Sequence, residues 1–323
     1  MLAGMTKTSA TIFMLHRFAV PELSIEGHSP QAVRAILAGL RKRRFEPISL
    51  HDLFRKLKEG EPLRRAVAFT IDDGYFDHAR VAAPVFAELD WPLTIFAVSG
   101  FLDGKTWLWW DQVRYVFTQT RRTALTARLA GDEIPYTLDS MESRRRGASE
   151  LSILCQDVSQ SDRLACLTDL SREADVELPA APPPEFAPLT WDEARQLEKK
   201  GIAFGPHTVT HPVLSSTGAE HSAWEIAESW ARLRAELRHP VPVFSYPHGR
   251  RMDYGEREMA EVRRLGLLGA VTAHFDVFRP RARERPPDLC RVPRFGFTDD
   301  LLAVLQCVSG VESLKMRLRG YRR

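Results

Sequence analysis

Short apolar runs separated by longer amphipathic stretches set the rhythm of this 323-residue chain. Strand-like runs fall at 11–15, 66–71, 93–98, 202–205, 241–246, 268–273 and 289–293. In the second of these Val67, Phe69 and Ile71 alternate as in a buried strand, and Gly74 supplies the turn that stops it. Between the runs the spacing turns helical. Ser29-Pro30-Gln31 reads as an N-cap with proline at the first helical position, and Val33, Ile36, Leu37 and Leu40 recur along one face. Similar spacing runs through 78–89, 220–237 and 253–265. Strands alternating with helices predict a parallel α/β architecture. About seven such units predict a distorted (β/α) barrel rather than an open sheet. In either case chemistry belongs at the carboxyl ends of the strands, where Asp72, Asp73 and Tyr246 fall.

The rhythm breaks over 104–188. Helical-looking pieces there cover 109–120, 141–156 and 162–174, and a proline-rich connector ends at Pro188. This segment is expected to be a helical insertion lying over the barrel mouth. Trp107, Trp109 and Trp110 open it; tryptophans at such a place are packing anchors or sugar-binding faces, and Trp110 is the one assigned to substrate.

Composition narrows the classes. A content of 44% hydrophobic and 27% charged residues is that of an ordinary globular protein. A net charge of +3 gives no argument for nucleic acid as a partner. The basic residues gather in a tail at 311–323, read as solvated, with peripheral contact to an anionic membrane as the alternative. Cys155, Cys166, Cys290 and Cys307 form no C-x-x-C pair and fit a reduced compartment. The apolar run Ile12–Leu15 is too short for a signal peptide, and no stretch of about 18 apolar residues exists, so a cytoplasmic location is expected.

The chemistry is concentrated in two places. Thr70-Ile71-Asp72-Asp73-Gly74 ends an apolar strand in two adjacent carboxylates. His207-Thr208-Val209-Thr210-His211-Pro212 follows another apolar run. Taken alone, the first is a turn or helix cap, and the second a pair of ordinary histidines. Taken together they suggest one carboxylate and two imidazoles on a cation, with coordination positions left for water and substrate, and a second carboxylate free to move a proton.

With both motifs in view, the chain resembles the polysaccharide deacetylase family, the NodB-homology domain of carbohydrate esterase family four. The family's Thr-Phe-Asp-Asp-Gly motif is similar to 70–74, and its His-Ser/Thr-x-x-His-Pro motif is matched by His207, Thr208, His211 and Pro212. The resemblance implies a domain built from 8–103 and 189–310. It implies that Asp72 is the general base and that Asp73, His207 and His211 hold a divalent metal, Zn²⁺ first. In the third motif, Ser245-Tyr246-Pro247-His248-Gly249, a serine stands where the family has arginine; the His248 N–H is the implied oxyanion donor, with Tyr246 and Pro247 lining the substrate. In the last motif Leu289-Cys290-Arg291 has arginine in place of the histidine that protonates the leaving amine. His248 and His16 are the candidates to replace that acid, and Arg291 and Arg294 the candidates to bind an anionic group on the substrate.

The function expected from the resemblance is metal-dependent removal of an N-acetyl (or formyl) group from an amino-sugar saccharide, or from a nucleotide- or lipid-linked precursor, in surface polysaccharide biosynthesis. Two readings compete: a non-sugar amidase or deformylase on the same fold, and a metal- or saccharide-binding protein that has lost turnover.

Overall fold

The strands β1 (Ala10–Leu15), β3 (Ala66–Ile71) and β4 (Leu93–Ala97) are nearly continuous apolar runs because both of their faces are covered, whereas β2 (Glu46–Pro47) is a two-residue piece with Glu46 exposed. All six residues of β3 and all five of β4 are buried in the computed structural model, which describes residues 10–277 and 288–318. The helices α1 (Pro30–Lys42), α2 (Leu50–Glu59), α3 (Ala83–Glu88) and α4 (Ser99–Leu102) fall between or after them. Ser29 caps α1 through Oγ, and the buried face is Val33, Ile36, Leu37 and Leu40, as the spacing predicts.

The insertion begins with α5 (Trp109–Gln119), followed by β5 (Ala124–Leu129), β6 (Asp132–Thr137), α6 (Met141–Leu154) and α7 (Gln160–Ala174). The expected helical insertion at 104–188 has its three helices but also a hairpin outside that expectation, with β5 and β6 paired antiparallel. Its two loop residues, Ala130 and Gly131, both have positive φ (52° and 95°), the backbone that matches strand twist in a tight hairpin. The insertion has its own apolar cluster, with Val113, Val116, Phe117, Leu125, Leu151 and Leu170 at its centre.

After the insertion come α8 (Trp191–Lys199), β7 (Ala203–Pro206), α9 (Ala219–Glu236), β8 (Val243–Ser245), α10 (Glu256–Arg264) and β9 (Gly269–Thr272). The described chain ends with β10 (Val292–Pro293), β11 (Phe295–Gly296), α11 (Leu301–Val308) and α12 (Val311–Leu318). The basic residues beyond 318 lie outside the described residues. No helix among the described residues is long and apolar enough to cross a membrane.

The strands form two parallel sheets. One has the order β11-β1-β3-β4-β7, with β2 on β3; the other has the order β10-β9-β8. This differs in strand count and arrangement from the expected distorted barrel of about seven strands. At one seam β10 and β11 are consecutive pieces of a single segment that pairs β9 on one side and β1 on the other. At the other seam no β7–β8 ladder forms among the described residues, and the Val241 N–H to Phe204 C=O bond (2.7 Å) spans the gap.

Alternation along the strands sorts the core. Phe13, Leu15, Val67, Phe69 and Ile71 face the helices, while Ile12, Ala66, Ala68, Phe96, Val243, Val271 and Val292 join Leu53, Phe54 and Leu57 of α2 in a second cluster between the sheets. Thus α2 fills the amino-terminal end of the strands. At the carboxyl ends the inner parity continues into Thr70, Asp72, Ser245 and Arg294, all buried, and that is where the site forms.

Candidate active site

Asp72 continues the inner face of β3, and its N–H donates to the Leu15 carbonyl (3.1 Å). Burial alone would raise its carboxyl. The Arg294 guanidinium, helped by His207, overcomes this and holds it well below the usual carboxylate range. Arg294 is 1% exposed and grips Asp72 bidentately, Nη1 to Oδ1 and Nη2 to Oδ2, both at 2.7 Å. It also donates to Thr70 Oγ1 (3.0 Å), Ser245 Oγ (3.0 Å) and the Thr272 carbonyl (3.1 Å). The assignment of Arg294 to substrate is thereby corrected: its donors are used within the protein. Ser245, where arginine was expected, supports the guanidinium that arrives from the other seam.

Asp73 leaves the strand with φ +83°, and Gly74 follows at +94°. A Cβ on Gly74 would meet Leu102 Cδ1 at 2.8 Å, so the turn needs glycine. The loop after β7 repeats the pattern, with Thr208 at φ +65° and His211 at +58°. Left-handed conformations at non-glycine residues cost energy, and here they turn Asp73 and His211 toward one centre. The loop is anchored twice. The Thr208 hydroxyl accepts from the His211 N–H (3.0 Å). The buried Glu225 of α9 accepts from the N–H groups of Val209 (2.7 Å) and Thr210 (3.0 Å) and from the Thr210 hydroxyl.

Asp73 Oδ1 lies 3.7 Å from His207 Nε2 and 3.5 Å from His211 Nε2, and the three donor atoms are within 4.8 Å of one another. Donors at about 2.1 Å from a tetrahedral ion are about 3.4 Å apart, so two of these separations suit one small cation. His207 Nδ1 is 2.7 Å from the Ser245 carbonyl, which takes its proton and leaves Nε2 as a lone pair toward Asp73. Burial pushes His207 down to about 4, and burial with the neighbouring His207 and His248 puts His211 well below the usual imidazole range. Burial, then Asp72 and Asp111, push Asp73 well above its usual range. Two neutral imidazoles and a carboxylate that ionises poorly without a counter-charge form a donor set that fits a divalent cation.

These groups open into a cavity of about 630 Å³, with α5 and α6 of the insertion as its outer wall. His16 and His248 both line it. His248 has φ +57° and Gly249 +65°, and a Cβ on Gly249 would lie 2.6 Å from the Ala273 nitrogen. The His248 ring is 5.0 Å from that of His211, its Nε2 has no partner among the described residues, and burial with Arg163 and Arg250 nearby drops it to about 3. No acceptor among the described residues takes the His248 N–H. Trp110 also lines the cavity, its ring 4.7 Å from His211.

Two other assignments, Arg291 and Pro247, are corrected by position, while Tyr246 keeps its place on the cavity wall. Arg291 has the opposite parity to Val292 and Arg294, is 58% exposed, and pairs with Asp288 (3.1 Å) away from the cavity. Tyr246 reaches the cavity, but its hydroxyl donates to the Cys290 carbonyl (3.0 Å) and its ring stacks on Tyr254 at 4.1 Å. Pro247 does not line the cavity; its carbonyl accepts from Gly249 N–H (2.6 Å) in the turn that presents His248.

Sequence reasoning missed a polar chain under the site. Trp110 Nε1 donates to the Tyr75 hydroxyl (2.9 Å), which donates to Asp111 Oδ2 (2.6 Å). Burial raises the Asp111 carboxyl to about 7, against the pull of the Tyr75 hydrogen bond. Asp111 directly follows Trp110 and sits two residues into α5, but nothing local in the sequence says that this first turn faces the carboxylates.

Residues 153–269 match the sequence model of the polysaccharide deacetylase family. No curated protein matches the chain significantly. Among solved structures, the Streptococcus pyogenes deacetylase PplD is similar over 94% of this chain and 99% of its own, at 17% identity and TM-score 0.60. IcaB from Ammonifex degensii is similar over 94% and 97%, at 17% identity and TM-score 0.59. A de-N-acetylase from Aggregatibacter actinomycetemcomitans follows, over 90% and 96%, at 12% identity and TM-score 0.54. At such identities the likeness is one of fold. The family that the two motifs resemble is the one whose sequence model residues 153–269 match.

Proposed function

We propose that this protein is a metal-dependent hydrolase that removes an N-acetyl (or formyl) group from an amino-sugar saccharide or its precursor. The observation that carries the reading is the junction of two clusters: the Asp73–His207–His211 donor set, and Asp72 fixed beside it by Arg294. Asp73, His207 and His211 would hold a divalent ion, Zn²⁺ first. When bound, such an ion polarises a carbonyl and lowers the pKa of water toward about 7.

The residues of the chain supply the rest. Asp72 takes the proton of the attacking water; Arg294 keeps it ionised and oriented, leaving lone pairs on the cavity side. The free His248 N–H is placed to receive charge on the carbonyl oxygen. The amine must gain a proton as it leaves. Burial lowers both imidazoles; Arg163 and Arg250 push His248 down further, whereas the Asp72 carboxylate offsets part of the lowering at His16. We assign the acid to His16. The Trp110 face, beside His211, orients a sugar ring.

A cavity of about 630 Å³ is in the range of small-molecule sites, which supports a short saccharide or precursor as substrate. Acetate release from N-acetylated oligosaccharides by Zn²⁺-loaded protein, set against Asp72→Asn, is the test. Release that vanishes in the variant supports the reading; no release from any saccharide of a broad panel removes it.

A further inference from the structure

Four arginines line the cavity: Arg17, Arg114, Arg145 and Arg250. Three have carboxylate partners within 2.9 Å. Arg17 pairs with Asp77, Arg145 with Glu26, and Arg250 with both Asp157 and Asp253. Arg114 has none: its half-buried guanidinium makes no hydrogen bond or ion pair among the described residues. The nearest acid along its helix, Asp111, accepts a hydrogen bond from Tyr75 at 2.6 Å instead. A half-buried cation on the cavity wall, whose nearest carboxylate, Asp111, acts on it only through space, can take an anion from the substrate.

The surrounding wall agrees. Arg114 is one turn after Trp110 on α5, about 5–6 Å along the same face, so an anion on it lies within about a sugar unit of the His211 side of the donor set. On the same cavity wall α6 presents Ser149 and Ser152, and Gln156 follows two residues past its end. None of these three side chains has a hydrogen-bond partner among the described residues. Hydroxyl and amide groups left free beside a guanidinium suit the hydroxyls of an acidic sugar.

We propose that the insertion builds an acidic-saccharide subsite, in which Arg114 binds a carboxylate or phosphate carried by the substrate next to its acylated amino sugar. This rests on the deacetylase reading for the identity of the neighbouring group, but the subsite is testable without turnover. Binding is measured by calorimetry on the Zn²⁺-loaded full-length protein with cellobiose, cellobiose bearing a glucuronate, and cellobiose 6-phosphate, none of which has an amide to lose. Acetate release is measured in parallel on the N-acetylated counterparts.

At least one acidic probe is expected to bind tenfold or more tightly than cellobiose. Arg114→Gln should bring that ratio to about one, and Arg114→Lys should keep part of it. Preference for the uronate identifies a carboxylate, and preference for the phosphate ester a phosphate. Equal binding of all three probes, or a ratio that survives Arg114→Gln, overturns the subsite. Selective binding without acetate release leaves the subsite standing and sinks the deacetylase reading; acetate release without selectivity does the reverse.

Discussion

Arg294 and Asp72 stand 222 positions apart in the chain and meet as a bidentate pair, with both nitrogen–oxygen distances at 2.7 Å. The pair is buried, and Thr70, Ser245 and the Thr272 carbonyl take the remaining guanidinium donors. A charge so placed is tolerated because its partner is present.

Arg294→Ala should therefore destabilise the protein by about 3–5 kcal/mol, because it leaves a buried carboxylate unpaired. Arg294→Lys should recover only part, since an ammonium cannot form the fork. Urea denaturation at neutral pH measures both. Asp72 has a folded pKa below its unfolded value, so its contribution is present above about pH 4 and is lost as the pH falls below that. The gap between wild type and Arg294→Ala should accordingly narrow in acid; a gap independent of pH would contradict the ion pair.

Glu225 touches none of the three donors, yet holds the loop between His207 and His211 by two N–H groups. Glu225→Gln loses the charge and one acceptor, and should weaken Zn²⁺ binding by about 10–100-fold, as is usual for residues that orient ligands. Competition against a chromogenic chelator gives the affinity. An unchanged affinity would show that the left-handed turns hold themselves.

Acid should unfold the metal-free protein early. His78 and His207 are pushed by burial down to about 4, and His248 to about 3. A histidine with a depressed folded pKa stabilises the fold fully above its unfolded value near 6.5, and that stability is lost as the pH falls toward the folded values. Stability with a chelator present should thus drop between about pH 6.5 and 3. His78→Gln, which removes none of the three donors, should flatten part of the slope in denaturation curves taken at stepped pH.

The acid assignment separates two histidines. His16→Gln should lower kcat by about 10²–10⁴-fold and remove the alkaline limb of the kcat–pH profile, while KM changes little. His248→Ala keeps the backbone N–H, so the alkaline limb should survive. The opposite pattern would move the acid to His248.

The metal donors were legible as a motif pair because each is local: a strand ending in two carboxylates, and a loop with histidines four apart. The helix face of Val33, Ile36, Leu37 and Leu40 was legible for the same reason, since periodicity is a property of neighbours. The β5–β6 hairpin was not, because Ala130-Gly131 lacks the usual hairpin pair and β6 buries only Tyr136, leaving no alternation to read. The match to known sequences begins at 153 and so includes the histidines but not Asp72 and Asp73.

By itself the sequence determined the strand–helix rhythm, the two motifs and the residue types of a metal site. The tertiary structure decided which charge serves which partner. Arg291 and Arg294 look alike in the chain, but strand parity sends one to solvent and the other onto Asp72. The insertion, unremarkable as helices, became the wall that leaves Arg114 unpaired above the site. Pairing at such separations depends on how strand ends converge, and no local pattern of residues encodes that.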